Sequence, residues 1–178
     1  IAKQKNIELP VCILNIGGIA NFTAIDEYEN NNFLSRDLGP GNCLIDEWIR
    51  NKTENKFDKN GDIAKKGKIN KIIVNQALDN FDNRLNQNKL SYDTKDFSLS
   101  FVRGLGLEDG AATLTDFTAE IIGVGLLSFL SKKKYDSCRV LVCGGGRKNS
   151  FLIERIKIKI KNNFIIQSID EYKIDGDY

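Results

Sequence analysis

One aspartate, Asp37, stands just ahead of a Gly39-Pro40-Gly41 triplet in the stretch SRDLGPGNCLIDEW, in a chain with only two prolines. Proline fixes φ, and the flanking glycines reach conformations closed to other residues. The triplet therefore predicts a rigid strand-to-helix bend. Such a bend holds Asp37 near a helix N-terminus, whose N–H groups attract anions. It also aims a carboxylate at a fixed point, as a general base requires. A structural aspartate at a helix entry fits the same residues. Asp46, further into that helix, either supports the site or pairs on the surface.

The chain has no histidine, which removes Ser-His-Asp and Cys-His catalysis and most zinc hydrolase schemes. A base must then be Asp, Glu, Lys, Tyr or Cys. Two glycine clusters suggest ligand contact. In NIGGIAN, Gly17 and Gly18 would sit at a hairpin tip with Asn21 just beyond, where bare backbone N–H groups can meet an anion; a plain tight turn needs the same glycines. In VLVCGGGRKNS, Gly144, Gly145 and Gly146 follow a buried strand and precede a helix, with Asn149 at its entry. Open α/β sheets bind ligands at the carboxyl ends of their strands. The run is neither GxGxxG nor a Walker loop, and a turn needing positive φ fits it too. Glu108, Asp109, Asp116 and Glu120 gather along LEDGAATLTDFTAE, where the helix dipole explains acids at the start; Thr113 and Thr115 are assigned no catalytic work.

The elements that position these residues follow from periodicity. VCILNI and IANFTAI read as a hairpin across Gly17-Gly18, EYENNN as a polar turn, and FLSRDL (33–38) as a third strand. Asn42 is a plausible N-cap for a helix carrying Leu44, Ile45, Trp48 and Ile49. Ile69, Ile72, Ile73, Ala77 and Phe81 mark a second helix. A long helix runs from 108 to about 132, with Ala112, Phe117, Ile121, Val124 and Leu127 as its buried face; Gly123 and Gly125 within it predict another backbone close by. CRVLVC (138–143) is a buried central strand. KNSFLIERIKIKIKN is read as a helix, and NFIIQS as a last strand. Three meandering strands followed by helix-alternated ones give an α/β domain on a mixed sheet.

At 178 residues, with 41% hydrophobic and 28% charged residues and a net charge of +2, one globular domain is expected. The weak charge argues against nucleic acid and against an RNase H-like nuclease. No apolar run is long enough to cross a bilayer, so no membrane is expected. The SKKK run is a solvated helix end. Of the four cysteines, Cys12, Cys138 and Cys143 lie in apolar stretches, and Cys43 pairs with none of them in a CxxC. Reduced, mostly buried thiols and a cytoplasmic setting follow, with no metal site. There is no methionine, even at position 1, so the chain is expected to be part of something longer.

In linear order, LNIGGIANFT, DLGPGNCLIDEW, FDKNGDIAKKGKIN, LSYDTKDFS, LEDGAATLTDFTAE, VCGGGRKN and IDGD resemble one family, anhydro-N-acetylmuramic acid kinase. The resemblance implies an RNase H-like lobe of the actin, hexokinase and Hsp70 type, here the C-terminal lobe over 1–178, with the N-terminal lobe and its Gly-Thr-Ser-x-Asp-Gly phosphate hairpin absent. It implies ATP and Mg²⁺, opening of the 1,6-anhydro ring by water, and transfer of phosphate to the freed 6-oxygen during cell-wall recycling. It assigns Asp37 as catalytic base. Gly17, Gly18 and Asn21 would face the ATP phosphates, and Gly144, Gly145, Gly146 and Asn149 the adenosine. Gly39, Gly41 and Asn42 would face the sugar. A partner lobe is implied, and a homodimer is left open. The chain departs from the family's usual residues at Leu38 (threonine), at Lys89-Leu90-Ser91 (Pro-Lys-Ser) and at Thr94 (often arginine). The Ile-Glu-Ala continuation after DGD is missing too. The competing expectation is a catalytically silent fragment or split-gene product that only binds a partner lobe or nucleotide.

Overall fold

The computed structural model describes residues 7–26, 33–85, 91–133, 137–160 and 164–177. The EYENNN turn and Lys89-Leu90 lie outside the described residues, as do the lysine side chains of SKKK. Five strands, β1 (Val11–Ile16), β2 (Ile19–Ile25), β3 (Phe33–Pro40), β4 (Cys138–Cys143) and β5 (Phe164–Ser168), form one sheet in the order β3-β2-β1-β4-β5. The first three are antiparallel neighbours, while β4 and β5 run parallel to β1. The sheet is thus mixed, as the order of elements predicted. Its carboxyl-end edge carries the β1–β2 turn, the end of β3 and the end of β4 together.

Four helices follow: α1 (Cys43–Lys52), α2 (Lys71–Leu85), α3 (Leu107–Lys133) and α4 (Ser150–Ile160). Their buried residues join a single cluster with Cys12, Leu14 and Ile16 of β1, Ala20, Phe22 and Ala24 of β2, and Val140 and Val142 of β4. These strand residues alternate, so they share one sheet face. On the other face Val11 and Leu141 are covered by Ile7, Leu9 and Tyr172.

Several expectations shift. β3 continues two residues past Leu38 because Gly39 and Pro40 still pair with Ala20 and Ile19. On α2, Val74 is buried, whereas Ile72 is 70% exposed. On α3, Val124 is 58% exposed, while Leu114, Ile122 and Leu126 are buried. This helix is covered on nearly every side in its first half, so a one-stripe pattern misassigns its face. Its segment Leu107–Phe129 is also long and apolar enough to cross a membrane by length and composition, contrary to the sequence reading. With 78% of its apolar window buried, it serves as the core helix of this lobe. The two helical glycines admit side chains rather than backbone: a Cβ on Gly125 would collide with Leu38, and one on Gly123 with Lys159.

Asp116 is fully buried yet ionic. Lys71 Nζ donates to Oδ2 at 2.6 Å, and Arg155 donates from Nε at 2.9 Å and Nη2 at 2.6 Å to Oδ1. Lys159 lies 3.4 Å away and also bonds Glu120. Burial works to raise the Asp116 pKa, but the Lys71 and Arg155 hydrogen bonds and the Lys159 charge together carry it below the usual carboxylate range. This acid therefore pins α2, α3 and α4 together rather than serving a helix dipole. Asp109 is likewise spent on structure, accepting from the Lys68 N–H at 2.7 Å.

Removing a buried partner leaves the others uncompensated, so Asp116→Ala should cost about 3 kcal/mol of unfolding free energy in urea titrations. Gly125→Ala should cost about 1–3 kcal/mol, and clearly less in a Leu38→Ala background, where the colliding side chain is gone.

Candidate functional site

The site begins with a knot of backbone hydrogen bonds. The N–H groups of Gly41 and Cys43 donate to the Gly18 carbonyl at 2.9 and 3.2 Å, and that of Asn42 donates to the Gly17 carbonyl at 2.8 Å. The α1 entry is therefore plugged by the β1–β2 turn. Of these three amides, Cys43 belongs to α1, and the other two precede it. Asn42 occupies the N-cap position but makes no side-chain cap; its Nδ2 donates instead to the Ile16 carbonyl at 3.2 Å. A side chain at Gly41 would run into the Gly17 carbonyl, and one at Gly39 would press on Ile121 and Phe81 at 2.9 Å. Both glycines are buried. Their part is to make the bend.

Asp37 leaves this bend half-buried. Its Oδ2 accepts from Ser91 Oγ at 3.1 Å and from the Tyr92 N–H at 2.9 Å. The Tyr92 ring packs on Phe81 and Phe97, with centroids 5.9 and 5.5 Å apart, so the aromatic cluster fixes the strap that grips the carboxylate. A capping box closes the strap's next turn, with Asp93 accepting from the Lys95 N–H and Asp96 from the Asp93 N–H. Among the described residues both hydrogen bonds fall on Oδ2 and none on Oδ1. Leu38, in the irregular step beside Asp37, turns into the core against Gly125. The position that differs from the family's usual threonine thus faces away from the cleft edge. Thr94 lies over Gly18, 3.3 Å from where a Cβ would stand.

The register lines up Asn15, Asn21 and Asp37 across β1, β2 and β3, two strand spacings or about 10 Å from end to end. Asn15 Oδ1 in turn lies against Gly144. Asn21 is thus brought beside Asp37, between it and Asn15. Gly17 has more open surroundings, and Gly18 is exposed beside Thr94.

The three later glycines divide the work. Gly144, at φ +76°, and Gly146 abut Asn15 and Ile16, leaving no room for a Cβ. Gly145 alone opens outward, its nearest neighbour being Asn42 Nδ2 at 4.0 Å. It lines a cavity of about 460 Å³ with Asn42, Asp46, Lys148 and Asn149, closed by residues 57–60. Of the three, Gly145 is the one that lines this cavity. Asn149 reaches the cavity wall, but its Oδ1 caps α4 by accepting from the Leu152 N–H at 3.0 Å. Asp58 is buried and bonds the N–H groups of Ile63 and Ala64, both at 2.9 Å, which shapes the loop on the far wall. Phe57 stands on that wall 56% exposed.

The glycine loop is itself held from behind. Gly144 N–H donates to the Gly176 carbonyl at 2.6 Å. The Arg147 guanidinium bonds Asp170 at 2.8 Å and Asp177 at 2.6 Å, and Lys148 bonds Asp177 at 2.7 Å. Arg147 and Lys148 hold the Asp177 carboxyl down to about 2. The IDGD segment is thus a strap over the glycine turn. Burial pushes the Asp46 carboxyl up to about 6, opposed by Arg50 and aided by Asp58. Burial likewise pushes the half-buried Cys43 thiol up to about 11, so it is no thiolate nucleophile at neutral pH; Cys12, Cys138 and Cys143 are buried.

Sequence reasoning missed Ser91 and Tyr92 as partners of Asp37, and Phe57, Lys59 and Asn60 as cavity walls. The DTKD capping signature was the one local sign of a structured turn near Asp37.

This arrangement has relatives. The family model described as anhydro-N-acetylmuramic acid kinase matches residues 2–178. A curated protein of that name from Pelagibacter ubique is 50% identical over 178 residues, all of this chain and 48% of the relative. One from Zymomonas mobilis is 37% identical, covering 94% of this chain and 44% of the relative. The chain spans about half the length of the curated relatives it matches. Among solved structures, the activator of the 2-hydroxyisocaproyl-CoA dehydratase from Clostridium difficile, with bound ADPNP, superimposes with a TM-score of 0.51 at 18% identity, over 94% of this chain and 62% of that one. That likeness concerns the fold, an RNase H-like lobe of the actin, hexokinase and Hsp70 type. With the family model matching from residue 2 to 178 and half of all positions shared with one curated relative, the chain belongs to the anhydro-N-acetylmuramic acid kinase family.

Proposed function

We propose that this chain supplies the C-terminal lobe of an ATP- and Mg²⁺-dependent kinase that opens 1,6-anhydro-N-acetylmuramic acid with water and phosphorylates it. The observation that carries the reading is the meeting of three features on one sheet edge: the exposed Gly18 turn, the strapped Asp37 and the Gly145 cavity. In this reading the nucleoside rests against Gly145 and the phosphates extend toward Gly17 and Gly18. The sugar lies at Asp37.

Asp37 then takes a proton from water as the water oxygen bonds to C1. The C1–O6 bond breaks, and O6 forms a bond to the γ-phosphorus as ADP leaves. Ser91 and the Tyr92 amide keep Oδ2 in place, which leaves Oδ1 to receive the proton. A base held in one orientation avoids the entropic cost of finding the water. Among the described residues no cluster of three His, Cys, Asp or Glu side chains gathers. In this reading a cation would be carried largely by substrate phosphates and water and, when bound, would neutralise charge developing in the transfer. A triphosphate clamp needs two walls, and this chain offers one, so the second lobe is proposed to come from a further segment or a separate chain. Thr94, which lies over Gly18 where the resemblance often has arginine, favours a second reading, a silent lobe that binds its partner without turnover.

Mixing this chain with the N-terminal half of a full-length relative and assaying ATP-dependent consumption of the anhydro sugar separates the two. Turnover is expected; a stable complex without turnover supports the silent lobe. In the active mixture Asp37→Asn should lower kcat by about 10²–10⁴-fold with a near-unchanged melting temperature, since Asn Oδ1 still accepts from Ser91 and Tyr92. Near-normal kcat removes Asp37 from the role of base. Gly145→Leu should fill the cavity and weaken ATP binding by about tenfold or more with little loss of stability, whereas the same change at Gly146 should unfold the lobe. Equal ATP affinity in Gly145→Leu and wild type would move the nucleotide elsewhere.

A further inference from the structure

Phe57 presents an exposed aromatic ring on the wall of the Gly145 cavity. Among the described residues it joins neither apolar cluster of the core, and the proposed phosphoryl transfer does not employ it. The turn that carries it is nevertheless fixed. Asp58, next in sequence, is buried, with one oxygen on the Ile63 N–H and the other on the Ala64 N–H. Ser150 Oγ donates to the Asn60 carbonyl at 3.2 Å, which ties the turn to the start of α4. Asn60 and Gly61 both have positive φ, +58° and +74°, and a Cβ on Gly61 would run into Asn149 and Phe151. The ring therefore stands on a turn braced against the same α4 entry that follows the glycine run. It is held where a ligand can meet it, with no packing role to account for its place.

We propose that Phe57 stacks on the base of the bound nucleotide, the base lying between this ring and the bare Gly145 backbone, and that this contact makes the site prefer purine over pyrimidine nucleotides. The inference rests on the nucleotide reading above and adds the residue that holds the base. The charges lining the cavity are of both signs, Asp46 and Asp58 together with Lys59 and Lys148, so charge does not decide which part of the ligand lies here. The ring decides it. A phosphate gains nothing from the electron-rich face of an aromatic ring, whereas a nucleobase offers a flat π-face of similar size. On the other wall Gly145 has no side chain, and its nearest neighbour stands 4.0 Å from where a Cβ would be, so a flat group can lie against its backbone. Stacking strengthens with the ring area that overlaps, so a two-ring base gains more than a one-ring base. At about 460 Å³ the cavity has the size of ordinary small-molecule sites.

Calorimetric titration of the whole chain with the Mg²⁺ complexes of ATP and CTP tests this. Wild type is expected to bind ATP more tightly than CTP. Phe57→Leu should weaken ATP by about tenfold, weaken CTP less, and so bring the two nucleotides together. Its melting temperature should match wild type, because the ring is exposed and outside the core. Phe57→Trp should restore the affinity for ATP. It also supplies a direct readout, since its new indole should be quenched as ATP saturates the site. Wild type, whose one tryptophan is the buried Trp48, is the control for that signal. Phe57→Leu binding ATP as wild type does overturns the inference. So does an equal loss for ATP and CTP, which would make Phe57 a support of the wall rather than a partner of the base. So does Phe57→Trp that binds ATP with no change in its emission. In these three outcomes ATP still binds wild type, and the nucleotide reading stands. Failure of wild type to bind ATP at all defeats that reading, and the inference falls with it.

Discussion

The site depends on a backbone contact: the carbonyls of Gly17 and Gly18 accepting the N–H groups of Gly41, Asn42 and Cys43. Helix entries expose amides that must find acceptors. Here the turn accepts the first of them, Cys43, and the two amides just before the helix, which ties the turn to the bend that follows Asp37. Gly41 lets the two backbones approach that closely. The carboxylate, the hairpin tip and the α1 wall of the cavity are thereby one rigid body. Preorganisation of this kind is what a phosphoryl-transfer site needs, because its chemistry rests on positioning and charge.

Glycine is used for two distinct purposes along this edge. Gly39, Gly41, Gly144 and Gly146 are bare because neighbours fill the space a side chain would take. Gly17 and Gly145 are bare with room around them, and such positions can bring backbone close to a ligand. The packed glycines make the open ones stationary. The Arg147 strap adds to this, holding the IDGD segment on Gly144 from behind while Gly145 faces the cavity.

Away from the edge, the Asp116 cluster does for the helices what the glycine knot does for the turns. A buried carboxylate cannot stay ionised unless paired. Its partners come from α2 and α4, so ionisation and helix packing are linked. Because α2 also carries Phe81, which touches Tyr92 and lies against Gly39, the network supports the Asp37 strap at one remove.

The sequence by itself determined the local features. The apolar run of β4, the β1–β2 hairpin, the bend after Asp37 and the order of strands and helices are written in alternation, glycine placement and one proline, each readable within a few residues. Helix faces were less legible where burial extends all round, as in α3, because period alone cannot point a side chain when most sides are covered. Tertiary structure alone decided which segments share the site. Ser91 and Tyr92 reach Asp37 across 54 and 55 residues, and residues 57–60 face Gly145 only because the sheet order sets β4 beside β1. Such meetings depend on how the layers close over a common core, and no local pattern records that distance. The same closure set the Gly41, Asn42 and Cys43 amides on the turn and left Gly145 open.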